Sequence, residues 1–425
     1  MGSELAAVVL AESPLARTRI AGLTARERAI RVARRVGASR VVVVDTAADR
    51  ARVAELDASA LLVIRADQLV HPPLAQPIVA AAATAIAVGP DDAYAGAFVA
   101  RGAADVTAAR TALAAGTADD AIAASLTAAR VAHGTVARHA IATPAERRAA
   151  HRLLYTILIK PQDNAITRYV YRPVSFPLTR ALAWTPISPN QISYLVAVFV
   201  AVGCYVTAHA SHLAAFAGTA IILAGSYLDC CDGEIARVKL LSSRLGAWLD
   251  TIIDETSSIG YMVALGWHCH LAYGGDYFGD LGFDPWLAAI ALGVVTYGAT
   301  IYCVYYNIIV AVGSANSQDY ARFFRVEPGG SPETRRLVPI TVDPPAPADR
   351  GPVIAWIVKY GPYIVRRDFI SWGATLLAAA SLTQVSFVAQ IGGGIASAIV
   401  CVMDHARLRA LRRSVLHAGH VLESP

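Results

Sequence analysis

Residues 228–255 read LDCCDGEIARVKLLSSRLGAWLDTIIDE and place four aspartates beside two apolar stretches of the chain. They are Asp229, Asp232, Asp250 and Asp254. Ionisable residues inside membrane-spanning segments are rare and are functional by default. The first two aspartates are three residues apart and the last two are four apart, so on helices each pair shares one face. Two such faces turned toward each other would form a pocket of four carboxylates at membrane depth.

A pocket of this kind needs a counter-charge, because desolvation and mutual repulsion disfavour several ionised carboxylates at one place. A divalent cation supplies it, and ligation by oxygen alone suits Mg²⁺ or Mn²⁺, with Ca²⁺ as a competitor. Gly233 lets a ligand approach the backbone next to the acids. Arg237 follows Asp232 by about one helical turn and can meet a phosphate. The segment therefore predicts a site for a metal ion and a diphosphate.

The overall composition indicates a membrane protein with a soluble N-terminal region. Of 425 residues, 55% are hydrophobic and only 16% are charged, which is too apolar for a soluble chain of this length. Long apolar runs begin after residue 190, whereas the first 150 residues contain only short ones. We predict six membrane spans of sufficient length: Ile192–Ala208, Leu213–Leu228, Gly246–Gly266, Trp286–Val312, Phe369–Leu382 and Val385–Met403.

The charges of the connecting loops predict the orientation in the membrane. The linkers at residues 208–213, 267–285 and 381–384 contain neither Lys nor Arg, whereas the other loops are basic. Cytoplasmic loops carry the excess of Lys and Arg. We therefore expect a multi-pass protein of the cell (inner) membrane, with both termini and the aspartate site on the cytoplasmic side. The N-terminal sequence lacks the pattern of a secretory signal, which agrees with this orientation.

The N-terminal region alternates between strand-like runs and helix-compatible stretches such as Thr24–Val36 and Thr107–Ala115. This alternation predicts a parallel α/β sheet with helices on both faces. The strand-like runs are AAVVLAE, RVVVVD, ALLVIRAD and TAIAVGP.

The predicted fold class is therefore mixed, with a cytoplasmic α/β domain at residues 1–145 and an all-α transmembrane domain at residues 191–413. Residues 146–190 between them are basic, aromatic and interrupted by prolines, which favours an amphipathic helical linker in the headgroup region over an ordinary interdomain linker. Residues 414–425 would form a C-terminal tail.

The spacing of the acids resembles the signature of the CDP-alcohol phosphotransferase family, also called CDP-alcohol phosphatidyltransferases. That signature is D-x-x-D-G-x-x-A-R-x8-G-x-x-x-D-x-x-x-D. This sequence supplies every fixed position: Asp229, Asp232, Gly233, Ala236, Arg237, Gly246, Asp250 and Asp254. The resemblance implies an integral membrane transferase that moves a phosphoalcohol from a CDP-alcohol to a lipid or polyol-phosphate hydroxyl and releases CMP.

The resemblance also implies a role for each signature residue. It implies three ligands of Mg²⁺ or Mn²⁺ on the CDP diphosphate: Asp229, Asp232 and Asp250. Asp254 would ligate the metal as well or act as general base toward the acceptor, so that catalysis depends on Asp250 and Asp254. The cytidine and phosphates would be held by three further residues: Gly233, Ala236 and Arg237. Family members commonly pair through membrane helices, so a homodimer is expected.

The N-terminal region resembles sugar-phosphate nucleotidyltransferases through AAVVLA, LLVIRADQLVHPPL and TPAERRAAHRLL. The whole chain is similar to fused proteins that make CDP-inositol and then use it to form inositol phosphodiesters, in phospholipid or inositol phosphate biosynthesis. Asp67 stands where one metal-binding acid of such a domain would be. The first loop, ESPLARTRIAGLTARER, lacks the glycine-rich pattern, and Arg138, His139 and Ala140 stand in place of a second acid. We therefore expect a degenerate domain without cytidylyltransferase activity.

Two further points concern partners. Lys359, Arg366 and Arg367 precede the fifth predicted span and could hold a phosphate on the acceptor, or could equally be topology signals. The net charge of +5, without a basic and aromatic block, argues against a nucleic-acid partner.

The main alternative to an enzyme is a membrane transporter that uses its intramembrane carboxylates. A transporter predicts substrate flux without CMP release.

Overall fold

The computed structural model describes residues 4–159, 163, 165–314, 319–340 and 367–423. Contacts within the chain divide it into two compact units. The first unit consists of Met1–Asp163, Phe176–Ser188 and Gly233–Leu241, and the second of Asn164–Ser175, Pro189–Asp232 and Ser242–Pro425. Each unit is therefore assembled from segments that are separate in sequence. The predicted boundaries near residues 145, 190 and 413 stay predictions.

The first unit is built on strands that follow the apolar runs of the sequence. In chain order the strands are β1 (Leu5–Leu10), β2 (Arg19–Ile20), β3 (Leu23–Thr24), β4 (Arg40–Val44), β5 (Ala60–Arg65), β6 (Gln68–Val70), β7 (Ala85–Val88), β8 (Tyr94–Arg101), β9 (Ala129–Ala132) and β10 (Arg138–Ala140). The main sheet has the order β4-β1-β5-β8-β7-β9. All four runs that the sequence analysis interpreted as strands are confirmed as β1, β4, β5 and β7.

The strands of this sheet do not all run in the same direction. β1 is parallel to β4 and β5, and β7 is parallel to β9, but β8 is antiparallel to both of its neighbours. The prediction of a parallel sheet is therefore wrong for β8. Only residues 89–93 separate β7 from β8, and a parallel connection needs a dozen residues or more. The chain therefore returns as a hairpin.

Helices cover both faces of this sheet, as predicted. The helices of the N-terminal region are α1 (Ala25–Arg35), α2 (Ala51–Ala54), α3 (Pro72–Ala80), α4 (Ala103–Ala115), α5 (Asp119–Ser125) and α6 (Pro144–Thr156). On one face, α1 and α3 pack on an apolar cluster that includes Val9 and Leu62. On the other, α4 packs on a cluster that includes Val8 and Phe98. The alternation of side chains along each strand supplies both clusters.

The second unit is mainly helical. A π-helical segment, Thr167–Tyr171, leads into α7 (Arg172–Ala183), which continues into the first unit. The later helices are α8 (Pro189–Thr207), α9 (His212–Val238), α10 (Arg244–Tyr273), α11 (Pro285–Asn307), α12 (Arg367–Ala379) and α13 (Thr383–His417), and a π-helical turn, Ile308–Val312, extends α11. These helices lie where the six spans were predicted.

Not all of these helices have the composition of a membrane span. Within the part of the chain that the structure describes, four helical segments are long and apolar enough to cross a membrane: α8, α9, α13 and α11 with its π-helical extension. The helix α10 contains Asp250, Asp254 and Glu255 among other polar residues, and α12 has only 13 residues. The structure thus supports a helical membrane region in general, and six spans stay a prediction.

The loop after α11 contains a hairpin. Its strands are β11 (Phe323–Pro328) and β12 (Thr334–Ile340), and β13 (Val421–Leu422) pairs with β12 in parallel. The hairpin turns at Gly329 and Gly330, which the alternating flanks FFRVEP and RRLVPI could have identified. The proline cluster of residues 343–352 lies outside the described residues.

Candidate metal and nucleotide site

Three of the four signature aspartates lie close together. Among the residues that the structure describes, one ligand oxygen each from Asp229, Asp250 and Asp254 lies within 4.8 Å of the other two. Asp229 belongs to α9, and the other two are one turn apart on α10. With Mg–O distances of about 2.1 Å, neighbouring ligands of one Mg²⁺ are about 3 Å apart and opposite ligands about 4.2 Å apart, so the three oxygens would have to move closer together to hold one ion. The donor set, three carboxylates, fits a divalent cation.

Asp232 lies outside this group of neighbouring oxygens as far as the described residues show. Its side chain is buried, and its Oδ2 accepts a hydrogen bond from Ser193 Oγ at 2.6 Å. Ser193 lies near the start of α8, which begins at Pro189. The contact of Ser193 was missed, because only the packing of α8 beside α9 reveals it.

Gly246 is required by the close packing of two helix starts. A Cβ atom at this position would lie 3.1 Å from Ser243 Oγ and 3.2 Å from Asn190 Oδ1. Ser243 is the N-cap of α10, and its Oγ accepts a hydrogen bond from the amide of Gly246 at 3.0 Å. A side chain at residue 246 would therefore disturb the start of the helix that carries Asp250 and Asp254.

The other signature residues, Gly233, Ala236 and Arg237, lie on the last turns of α9. Arg237 Nη1 lies 3.4 Å from the position of a Cβ on Gly233, which is ordinary van der Waals contact. The helix ends in a Schellman-type turn, in which Leu241 donates its amide to Ala236 O at 2.8 Å and Leu240 has a positive φ of 55°. These residues therefore sit at a well-defined helix end.

The acid that follows Asp254 holds two tyrosines of the neighbouring helix. Glu255 accepts hydrogen bonds from Tyr297 Oη at 2.6 Å and from Tyr305 Oη at 2.9 Å. Both tyrosines lie on α11, and the bonds join it to α10. These three residues were not predicted from the sequence. The sequence signal that could have indicated this contact is a pair of tyrosines eight residues apart on α11, together with an acid on α10.

Three residues were predicted to hold a phosphate of the acceptor. Lys359 and Arg366 lie outside the described residues, and Arg367 is the first residue of α12. Their role stays a prediction.

The N-terminal unit contains a separate cavity of about 440 Å³. Asp67 lines it and forms an ion pair with Arg65, whose Nε lies 3.2 Å from Asp67 Oδ1. Hydrogen bonding to Asp67 raises the pKa of Arg65. Arg138 and His139 line the same cavity, because β10 pairs with β6. Among the described lining residues Asp67 is the one carboxylate, so a fixed guanidinium rather than a second acid faces it.

Comparison with known proteins agrees with the signature. Residues 186–323 match the family model described as CDP-alcohol phosphatidyltransferase. The matched segment includes α8, α9, α10 and α11, and therefore all eight signature positions. The family resemblance of this region is thus confirmed.

Curated relatives share part of the chain. Over 158 residues the chain is 27% identical to the bifunctional IPC transferase and DIPP synthase of Aquifex aeolicus (strain VF5), which is 36% of this chain and 33% of that protein. It is 32% identical over 119 residues to the protein of the same name from Archaeoglobus fulgidus, which is 27% of this chain and 23% of that protein. The aligned segments span a third or less of the length of these relatives.

Proposed function

We propose that this chain, which carries a CDP-alcohol phosphatidyltransferase domain at residues 186–323, transfers a phosphoalcohol group from a CDP-alcohol to a hydroxyl acceptor and releases CMP. The observation that carries this proposal is the grouping of Asp229, Asp250 and Asp254 inside the matched segment. A cation between them would offset the mutual repulsion of three carboxylates within 4.8 Å of one another. A cation and a diphosphate together explain why the acids occur on apolar helices.

Asp229, Asp250 and Asp254 would hold Mg²⁺ or Mn²⁺, and Asp232 would be the fourth acid of the site. When bound, the ion supplies positive charge that neutralises the diphosphate of the donor. Gly233, Ala236 and Arg237 would contact the cytidine and the phosphates. The side chain of Arg237 donates to phosphate oxygens, and the glycine leaves room beside it.

The chemistry left to the protein is the handling of one proton. The acceptor hydroxyl attacks the phosphorus that bears the alcohol, a new phosphorus–oxygen bond forms, and the bond to the CMP oxygen breaks. Asp254 would take the acceptor proton as general base on the carboxylate oxygen that does not ligate the ion, and Asp250 beside it would keep the acids and the donor in place. No covalent intermediate with the enzyme is needed.

The substrates are proposed from the resemblance of the sequence rather than from geometry. Inositol or an inositol phosphate is the proposed alcohol of one substrate. Two arrangements fit the same site: CDP-diacylglycerol with a soluble polyol, or a CDP-polyol with a lipid or polyol-phosphate acceptor. The four apolar helical segments support a place in a membrane. The loop charges support a cytoplasmic active site in the inner membrane. A homodimer is proposed by analogy with the family.

Release of CMP by the purified full chain tests the function. Radiolabelled CDP-inositol and CDP-diacylglycerol are offered one at a time with Mg²⁺, each with a panel of polyol, polyol-phosphate and lipid acceptors. We expect CMP with one donor, none with excess EDTA, and a loss of several orders of magnitude in Asp250→Asn. Asp280→Asn, at an exposed residue of the loop before α11, is the matched control and should retain activity.

Two results would contradict the proposal. Unchanged CMP release in Asp250→Asn would remove the acid site from the reaction. Flux of a substrate into liposomes that hold the purified protein, with no CMP formed from any donor, would favour the transporter instead.

We further propose that the N-terminal cavity does not perform cytidylyl transfer. The ion pair between Arg65 and Asp67 occupies the carboxylate that would have to bind a metal, and Arg138 adds positive charge rather than a second ligand. Incubation with CTP, inositol phosphate and Mg²⁺ should release no pyrophosphate. Release above the rate of an Asp67→Asn variant would contradict this.

A further inference from the structure

The end of helix α9 has an unusual set of hydrogen-bond donors. The last carbonyl groups of a helix have no partner within the helix and need donors from elsewhere. The carbonyls of Ile235, Ala236 and Arg237 accept from the amides of residues 239, 241 and 240 of the turn that follows. The next two carbonyls accept from arginine side chains of α1, more than 200 residues earlier in the sequence.

These two arginines are Arg28 and Arg31, one turn apart on α1 and here called the arginine pair. Arg28 Nη1 donates to Val238 O at 2.9 Å, and Arg31 Nη1 donates to Lys239 O at 2.6 Å. The carboxyl end of a helix carries partial negative charge, so cations there are favourable. The arginine pair thus satisfies both the hydrogen bonding and the electrostatics of this helix end.

Arg28 is buried to an extent that calls for a specific reason. Its side chain is fully inaccessible, and its other terminal nitrogen donates to Ile20 O at 3.3 Å. Burial, with the positive charge of Arg31, lowers the pKa of Arg28 to about 10, which still leaves it charged at neutral pH. A buried charge is costly unless it is well paired. Within the described part of the chain its acceptors are backbone carbonyls, so the helix end is its counter-charge.

Other contacts hold the same segment within the first compact unit. Lys239 is buried, and its ammonium donates to Thr185 O at 2.7 Å and to Ile187 O at 3.2 Å. Leu240 packs against the apolar cluster between α1 and the sheet. Its positive φ favours glycine, so the leucine side chain is there for packing. Glu234 is buried and accepts a hydrogen bond from Thr179 at 2.6 Å.

We propose that Arg28 and Arg31 are positioning residues of the transferase, which fix Gly233, Ala236 and Arg237 for binding of the CDP-alcohol phosphates. The proposal rests on the proposed function of these three residues. It gives the N-terminal region a task that requires no chemistry of its own. Gly233–Leu241 belongs to the same compact unit as α1, so loss of the arginine pair loosens this segment.

The variant Arg28→Met tests the proposal, because it keeps the length of the side chain and removes both donors. We expect KM for the CDP-alcohol to rise on the order of tenfold, with kcat within about threefold of the full-length wild type. A protein that has merely lost part of its folded population shows the opposite, with lower kcat and unchanged KM. Arg28→Lys should restore part of the affinity, because an ammonium can still donate to the same carbonyls.

Two more variants complete the experiment. Arg31→Met removes the half-buried partner and leaves Arg28 in place, so it gives the same direction of change if Arg28→Met does not fold. Arg34→Met removes the same charge from an exposed position of α1 and should leave KM and kcat unchanged. Wild-type KM in a folded Arg28→Met protein, or an equal rise of KM in Arg34→Met, overturns the proposal.

Hydrogen exchange separates this proposal from the proposed function. If the wild type releases no CMP from any CDP-alcohol, the proposed function fails, and the amides of residues 239–241 then decide. Exchange at least tenfold faster in Arg28→Met than in Arg34→Met supports the positioning of this segment by the arginine pair. Equal exchange in both variants overturns it.

Discussion

Ser193 donates a hydrogen bond to Asp232, with 2.6 Å between Ser193 Oγ and Asp232 Oδ2. Ser193 Oγ also lies 3.3 Å from Pro189 O, but a hydroxyl has a single proton, and the shorter contact to a carboxylate is the stronger one. The bond therefore orients the one signature aspartate that lies outside the group of neighbouring oxygens, among the residues described.

Substitution Ser193→Ala should weaken metal-dependent transfer without abolishing it. Residues that orient metal-binding acids typically contribute about tenfold to a hundredfold in metal affinity or activity. We expect the Mg²⁺ concentration for half-maximal CMP release to rise by at least tenfold. Ser226→Ala is the control, because among the described residues Ser226 bonds one group, a carbonyl of its own helix, Ile222 O at 3.2 Å. An unchanged Mg²⁺ requirement in Ser193→Ala would show that Asp232 does not depend on this bond.

The bonds of Glu255 to two tyrosines predict a second effect on the site. Glu255 follows Asp254, so a change in its position alters α10 where the predicted base lies. The double substitution Tyr297→Phe with Tyr305→Phe removes both donors and leaves the half-buried carboxylate of Glu255 less satisfied, at about 1 to 3 kcal/mol. We expect kcat to fall on the order of tenfold and the thermal midpoint in detergent to fall as well.

A matched control is available on the same helix. Tyr302 lies on α11, is 59% exposed and contacts other aromatic rings rather than Glu255. Tyr302→Phe should keep both kcat and the thermal midpoint. Equal losses in this control and in the double variant would mean that the hydroxyl groups near Glu255 have no special role.

The stability of the N-terminal region should depend on pH through His71. Burial, with the positive charge of Arg28, lowers the pKa of His71 from 6.5 to about 4. Below pH 6.5 the unfolded chain therefore binds a proton that the folded chain does not. The free energy of unfolding falls as the pH is lowered from about 6.5 to about 4, by about 2 kcal/mol at pH 5. Thermal unfolding at pH 7 and pH 5 should show this decrease, and His71→Leu should reduce it. The same slope in both proteins would contradict the assignment.

Substitutions at two glycines with positive φ can distinguish the cost of backbone strain from the cost of steric overlap. Gly22 has a φ of +81°, and a Cβ there would lie 1.8 Å from Ala183 O; Gly37 has a φ of +102° and open space around it. Gly37→Ala should lower the free energy of unfolding by about 1 to 3 kcal/mol, the cost of the conformation. Gly22→Ala should lower it by more, because main-chain atoms must also move. Equal thermal midpoints of the two variants would contradict the close approach at Gly22.

The fold and the acids were partly predictable because their signals are local. The strands β1, β4, β5 and β7 follow uninterrupted apolar runs, and helix spacing alone places Asp250 and Asp254 on one face. Apolar length also predicted where the helices α8 to α13 begin, to within three residues, but not where α9, α10 and α13 end. The grouping of Asp229 with the α10 acids followed from two short-linked helices, since such helices pack side by side.

Other features depend on contacts between distant parts of the chain and could not be predicted. Nothing near Arg28 in sequence indicates that it bonds Val238, 210 residues away. The same holds for Ser193 and Asp232, since only the neighbouring position of α8 brings them together. The antiparallel direction of β8, in contrast, could have been predicted, because the short loop between β7 and β8 is a local signal for a hairpin.

The division of the chain into interleaved segments limits how its parts can be recombined. The first compact unit takes residues 233–241 from the far end of α9 as well as the N-terminal region. A chimera that exchanges residues 1–145 with those of a relative would replace Arg28 and Arg31 but keep Val238 and Lys239. Such hybrids should be active only when both sides of this contact come from the same parent. The two sides should therefore be inherited together.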